Sequence, residues 1–255
     1  MIVLKTSEEL EKMRVANQIS ADALRAVGEA VKPGVSTWEL DQIAYNYIIK
    51  QGAEPNFLGL YGFPATACIS VNDEIIHGIP DKKHILKDGD IVTVDLGAKI
   101  DGYNGDNAYT FYVGNVDPEV QRLCDTTRES VFVGIEAAVA GNRVGDIGHA
   151  VQEYCESRGY GIIREYEGHG IGTKLHEDPG IPNYGKAGRG IRLLPGMTIA
   201  IEPMVSQGSP KIKTMPNGWT VKTADGKMSA HYENSIAITD NGPEILTWGK
   251  DGKTL

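Results

Sequence analysis

Apolar positions recur at helical spacing from the start of the chain. Leu10, Met13, Ala16, Ile19, Ala23, Val27 and Ala30 form one stripe that ends at Pro33-Gly34. Thr6 with Glu9 is a capping-box pair at its head, so a long first helix is predicted from about Ser7. Ser36 with Glu39 repeats the pair, Leu40, Ile43, Ala44, Tyr47 and Ile48 make the next apolar face, and Gly52 closes it. Residues 53–66 read as loop. The period then changes to alternation over Ala67–Ile76, which predicts a strand leading into His77-Gly78-Ile79-Pro80 in a turn. Further on, Asp117-Pro118 opens a third helix carried by Val120, Leu123, Thr127, Val131, Ile135 and Ala138 to Gly141. A fourth is predicted from about Asp146 to Gly159.

Between the helical pairs lies the strongest β signal. The runs Ile91–Leu96 and Ala108–Val113 flank Asp101-Gly102, and Asp-Gly between alternating hydrophobics predicts a hairpin. Asp95 and Asp106 interrupt its apolar pattern. A turn centred between Ile100 and Asp101 sets them directly opposite; one centred on Asp101-Gly102 makes them diagonal neighbours. Both registers put the two carboxylates on one face, where like charges among Val and Leu need a cation between them.

A second copy of this pattern appears downstream. Leu86-Lys-Asp-Gly89-Asp-Ile-Val-Thr-Val-Asp95 aligns with Leu193-Leu-Pro-Gly196-Met-Thr-Ile-Ala-Ile-Glu202, each with an acid six residues after the turn glycine. Upstream, His77-Gly-Ile-Pro is matched by His176-Glu-Asp-Pro-Gly-Ile-Pro; downstream, Asp106 enters an apolar strand as Glu233 enters Ile236–Ile238. The repeat predicts two related α/β halves with sheets side by side, helices on one face, and acids from both halves meeting in the middle.

Composition narrows the possibilities. The length of 255 residues is ample for a sizeable core, and a net charge of −9 argues against a nucleic-acid-binding surface. No basic-then-apolar leader is evident at MIVLKTSEEL, nor a run of 18 apolar residues, so a cytoplasmic protein without membrane attachment is expected. Cys68, Cys124 and Cys155 are too few and scattered for a disulfide framework and are expected as reduced, packed thiols.

The candidate chemistry follows from the symmetry. Asp95, Asp106, Glu202 and Glu233 carry about −4, which two divalent cations would neutralise. With an imidazole from Gly168-His169-Gly or Leu175-His176-Glu the donors are mostly hard oxygen, which suits Mn, Fe(II), Co or Zn. Two such ions about 3.5 to 4 Å apart hold a bridging water, lower its pKa and polarise a carbonyl. A histidine outside the metal shell can donate to the developing charge. The implied reaction is hydrolysis of an amide. His84 and His149 fit a turn and a helix surface and receive no role; His231 lies two residues before Glu233 on the same face, where support of a ligand is one reading.

These motifs together resemble the type I methionine aminopeptidases in their compact bacterial form. The resemblance rests on Cys68-Ile-Ser-Val-Asn-Asp-Glu-Ile-Ile-His77-Gly-Ile-Pro, Val94-Asp95-Leu-Gly, Asp101-Gly-Tyr-Asn-Gly-Asp106, Gly168-His169-Gly-Ile-Gly, Leu175-His176-Glu, Ile201-Glu202-Pro-Met and Tyr232-Glu233-Asn-Ser. It implies the α+β pita-bread fold as a single catalytic domain over 1–255, with a pseudo-repeat of roughly 1–115 and 116–255. The implied activity is removal of the initiator methionine from nascent chains at the ribosome when the second residue is small and uncharged. By motif, Asp95, Asp106, His169, Glu202 and Glu233 would hold two divalent ions, Asp106 and Glu233 bridging them. Glu202 would also take the proton of the attacking water, while His176 and His77 would act on the substrate amide from opposite sides.

The same resemblance places the methionine side chain among Phe63, Cys68, Leu175 and Trp219, with Phe57 and Leu60 nearby, and a monovalent cation on main-chain oxygens near Asn72, Glu74 and Ser229. Leu60, Phe63 and Leu175 stand where some relatives have larger aromatics, and Asn234 follows Glu233 where histidine is common, on the opposite strand face. A monomer is expected. Ile2 is bulky, so such an enzyme leaves its own Met1 in place. The alternatives are a prolidase or aminopeptidase P of the same fold, and a binding homologue that has lost its metals.

Overall fold

The computed structural model describes residues 2–248; the expected span of 1–255 runs past both ends, and Met1, whose retention was inferred from Ile2, lies outside the described residues. Helix α1 (Ser7–Ala30) starts where the capping box puts it: the Glu9 N–H donates to Thr6 Oγ1 at 3.3 Å and the Thr6 N–H to the Glu9 carboxylate at 2.8 Å. Ser36 and Glu39 repeat that exchange at the head of α2 (Thr37–Lys50). Helix α3 (Pro118–Ala137) is capped by the Asp117 carboxylate, which accepts the Glu119 N–H at 2.7 Å. Helix α4 (Val144–Glu156) begins two residues before the predicted start, because Asp146 is its third residue rather than its cap and takes the Arg143 N–H at 2.7 Å.

The hairpin strands are Ile91–Ile100 and Tyr103–Tyr112, joined by Asp101 and Gly102 at φ 50 and 81. Two successive positive φ values match the twist of a two-residue hairpin turn. They select the second register, with Asp95 opposite Ala108 and Asp106 opposite Gly97, hence diagonal neighbours on one face. The strand predicted over Ala67–Ile76 is broken into Ala67–Val71 and Glu74–Ile76 at Asn72, whose φ of 58 turns the chain. The Asn72 side chain holds that turn, accepting from the Ile91 N–H at 3.0 Å and donating to Asp90 at 2.8 Å. The stretch read as loop contains the short strand Glu54–Pro55 and a 3-10 turn at Leu60–Gly62.

One nine-stranded sheet crosses both halves. Its path runs Glu54–Pro55, Ile91–Ile100, Tyr103–Tyr112, Glu233–Thr239, Thr198–Ile201, Gly168–Gly170 and Glu177–Ile181, with Ala67–Val71 and Gly242–Ile245 paired off it. All of its pairings are antiparallel. Two apolar clusters fill the space between sheet and helices. Leu24, Leu40, Val94 and Leu96 belong to the first half, Leu123, Ile147, Ile199 and Ile236 to the second, and Tyr109 packs against both. Val94 and Leu96 point at α1 and α2, so Asp95 between them points to the opposite face. Gly105 lets α1 lie close, since a Cβ there would be 2.5 Å from the Ala16 carbonyl oxygen. The two-halved α+β architecture, with helices outside and acids inside, is the one the repeat predicts.

Candidate metal centre and substrate pocket

Each acid is placed by backbone. Asp106 is gripped from two sides: its N–H donates to Asn17 Oδ1 of α1 at 3.3 Å, and its carbonyl accepts the Ser235 hydroxyl at 2.9 Å. Glu233 opens its strand opposite Ala108, and Glu202 lies one residue beyond the Ile201 to Asn234 pair. His169 sits on Gly168–Gly170, where flanking side chains are excluded: a Cβ on either glycine would fall 2.3 Å from a carbonyl oxygen of a neighbouring strand. Its Nδ1 is 2.8 Å from the Gly170 carbonyl, so Nδ1 carries the proton and Nε2 offers a lone pair. That Nε2 is 3.6 Å from both Asp106 Oδ2 and Glu202 Oε1.

The carboxylates are crowded and lack partners. Among the described residues, Asp95 Oδ1, Asp106 Oδ1 and Glu233 Oε1 are buried with no hydrogen bond. Burial, followed by repulsion from Asp106, pushes Asp95 well above the usual carboxylate range, and burial does the same to Asp106. Glu202 and Glu233 are raised by burial first and then by the neighbouring acids. Two groupings have ligand atoms all within 4.8 Å of one another: Asp106 with His169 and Glu233, and Glu202 with His231 and Glu233. Buried carboxylates without donors, repelling one another around a fixed imidazole lone pair, fit divalent cations.

These groups floor a cavity of about 760 Å³, walled by Phe57, Leu60, Phe63, Cys68, Leu175 and Trp219. All the pocket residues expected from the sequence therefore line it. Phe63 packs edge-on to Trp219, with ring centroids 5.1 Å apart. His77 and His176 enter from the two halves. Burial pushes each down to about 4, with His176 adding to the effect at His77 and His169 at His176. Both are therefore neutral near pH 7. A cavity with an apolar wall and an acidic floor, flanked by neutral histidines, can seat an apolar side chain and place its attached amide over the acids.

Comparison with known proteins agrees with that geometry. The signature of metallopeptidase family M24 matches residues 11–240. The methionine aminopeptidase of Clostridium acetobutylicum is 53% identical over 247 residues, covering 97% of this chain and 99% of the relative. This chain belongs to the methionine aminopeptidases. Methionine aminopeptidase 1 of Bacillus subtilis is 50% identical over 247 residues, covering 97% of this chain and 99% of the relative. The crystal structure of methionine aminopeptidase from Rickettsia prowazekii superposes with a TM-score of 0.95 at 40% identity, covering 97% of this chain and 100% of that one. The pita-bread expectation stands.

Against this methionine aminopeptidase background, several residues that the sequence left unassigned acquire positions. Tyr61, at φ 52, stacks on His176 at the cavity mouth, with centroids 6.0 Å apart. Tyr166 meets His77 edge-on at 5.6 Å. Lys5 is buried against Glu177 at 2.6 Å, and Glu177 also accepts the Lys174 N–H, so the segment carrying His176 is clamped. Burial acts to raise Glu177, but Lys5 and that N–H outweigh it and hold the carboxyl below its ordinary value. Asn234 points away from the cavity and accepts the Thr247 hydroxyl at 2.7 Å, as its strand face requires. His149 lies on the surface of α4 beside Glu153, where the sequence places it. The Ser229 hydroxyl is 3.3 Å from the carbonyl oxygens of both Asn72 and Glu74.

Proposed function

We propose that this chain hydrolytically removes N-terminal methionine from peptides whose second residue is small and uncharged, acting as one catalytic domain. The observation that carries the reading is the set of buried, unpartnered carboxylates on the floor of an apolar cavity. Asp95, Asp106, His169, Glu202 and Glu233 would hold two divalent ions. Bound there, the ions supply Lewis acidity that activates water and polarises the scissile carbonyl. Glu202 accepts the proton of the attacking water. His176, neutral at working pH, donates to the substrate amide, and His77 faces it from the other half and assists proton movement. Phe63, Cys68, Leu175 and Trp219 enclose the methionine side chain.

The donor set accepts Co, Mn, Fe(II) or Zn, and a monovalent cation fits the main-chain oxygens of Asn72 and Glu74 beside the Ser229 hydroxyl. The working setting is a cytoplasmic monomer acting on nascent chains at the ribosome. No helix of the described residues is long and apolar enough to cross a membrane.

The test is methionine release from Met-Ala-Ser by metal-stripped protein titrated with each ion, with Met-Leu-Ser, Xaa-Pro peptides and Glu202→Ala alongside. Metal-dependent release from Met-Ala-Ser alone, abolished in the variant, is expected. Cleavage of Xaa-Pro peptides instead would make the chain a prolidase-type enzyme. Metal binding without cleavage of any peptide would make it a binding homologue.

A further inference from the structure

His231 is the buried imidazole to which the mechanism gives no work. It is 1% exposed, and neither ring nitrogen finds a hydrogen-bond partner among the described residues. It does not wall the cavity; it lies behind Glu202. Its Nε2 is 3.7 Å from Glu202 Oε2, while the other oxygen of that carboxylate, Oε1, is 3.6 Å from His169. Glu202 therefore sits between two imidazoles, one toward the cavity and one toward the protein.

The root of His231 is fixed. Thr110 Oγ1 accepts the His231 N–H at 3.1 Å and donates to its carbonyl at 2.8 Å. The hydroxyl of Thr93 is 2.8 Å from that of Thr110, and the Tyr232 hydroxyl donates to the Thr110 carbonyl at 2.9 Å. The central hairpin thus ties down the peptide that carries the ring. An anchored, unpartnered donor behind a carboxylate has one economical use, since buried polar groups are costly unless paired and outer partners of metal ligands orient them. At 3.7 Å the pair is one side-chain adjustment from the usual hydrogen-bond range of about 2.7–3.2 Å.

We propose that His231 is a positioning residue: its Nε2–H holds Oε2 of Glu202 from behind and leaves Oε1 turned to His169 and the metal centre. This rests on the metal centre proposed above. The acid that both binds metal and accepts a proton then has its orientation set by a residue that touches neither substrate nor water.

The test compares His231→Gln, whose amide reaches the Nε2 position, with His231→Asn, which is too short to reach it, and His231→Leu, which has no donor. Calorimetric titration of metal-free protein with Mn(II) is read beside kcat and KM for Met-Ala-Ser and the absorption spectrum of the Co(II) form. Asn and Leu are expected to weaken the tightest Mn(II) binding and lower kcat roughly 10–100-fold, the usual cost of losing an outer partner, with KM little changed. Gln is expected to restore both to within about threefold and to keep the wild-type Co(II) spectrum, by supplying the same donor. Equal losses in all three variants would overturn the proposal in favour of packing alone. A changed Co(II) spectrum in the Gln variant would overturn it in favour of a nitrogen ligand. If the Leu variant does not fold, the Gln and Asn pair decides. The Mn(II) titration involves no peptide, so a wild-type protein that releases no methionine would sink the proposed activity and leave the His231 result standing.

Discussion

The metal-free centre should be a source of instability that removing one charge relieves. Glu233 belongs to both ligand groupings, with oxygens within 4.8 Å of Asp106 on one side and of Glu202 on the other. At an effective dielectric of about 20, two unit charges that far apart repel by about 3.5 kcal/mol. The alternative is to hold a proton, and for a carboxyl of ordinary value about 4.3 this costs about 4 kcal/mol near pH 7.5. Charged or protonated, Glu233 burdens the folded metal-free protein by roughly 3–4 kcal/mol.

Glu233→Gln keeps the shape and removes the charge. At about 2–4 °C per kcal/mol for a chain of this size, the chelator-treated variant should melt roughly 6–16 °C above wild type at pH 7.5. Mn(II) at a thousandfold excess over Kd should invert the order, because wild type then gains about 4.1 kcal/mol while the variant has lost a proposed ligand. The pH dependence has a definite sign. The folded Glu233 carboxyl ionises above its unfolded value, so its stabilising contribution is complete below about pH 4.3 and is lost as pH rises through the folded value. The difference between the two melting points should therefore widen from pH 5 to pH 8. Scanning calorimetry reads all three effects. A metal-free variant that melts at or below wild type at pH 7.5 would refute the account of the centre as crowded charge awaiting cations.

Three further outcomes are expected. His77 and His176, both pushed down to about 4, should show neutral-imidazole NMR shifts from pH 8 to 5.5. The stability their neutral burial provides is complete above about pH 6.5 and is lost as pH falls through about 4. A titration near 6.5 would show that they are not desolvated. Gly105→Ala should cost about 1–3 kcal/mol by chemical denaturation, because its Cβ meets the α1 backbone; it should also weaken Mn(II) binding through the adjoining Asp106, and unchanged stability would mean that α1 is free to shift. Trp219→Ala should raise KM for Met-Ala-Ser severalfold with a smaller fall in kcat, as loss of a pocket wall predicts; an unchanged KM would place the methionine elsewhere.

Much of this was legible because the chemistry repeats. Asp95 and Glu202 fall at equal offsets from turn glycines, and a sheet alternates its faces, so one register question placed four acids together. That question stayed open until the backbone answered it: Asp101 adopts a left-handed conformation that composition does not dictate. The break at Asn72 leaves no local mark, because Ala67–Ile76 keeps its apolar alternation across a turn held by residues nearly twenty positions away. The head of α4 lies before Asp146 because that residue bonds backward to the Arg143 N–H instead of capping. Helices α1 and α2 carried complete capping boxes and needed no tertiary help. His231 had only nearness to Glu233 in its favour, since its neighbour Glu202 is remote in sequence. Tyr61, Tyr166 and the Lys5 to Glu177 pair gave no local signal, because each matters through a contact formed only on folding.

The halves of the sheet are joined by two register pairs, Glu233 with Ala108 and Asn234 with Asn107. Each copy of the repeat brings two acids to that line, a charge that one divalent ion would satisfy, and four acids gather where the copies meet. The acidic centre is thus a property of the joint between the halves rather than of either half alone. The cavity walls cross the same joint, since His77 of the first half meets Tyr166 of the second and Tyr61 of the first stacks on His176 of the second. A change at any residue along that joint therefore bears on the other half as well as on its own.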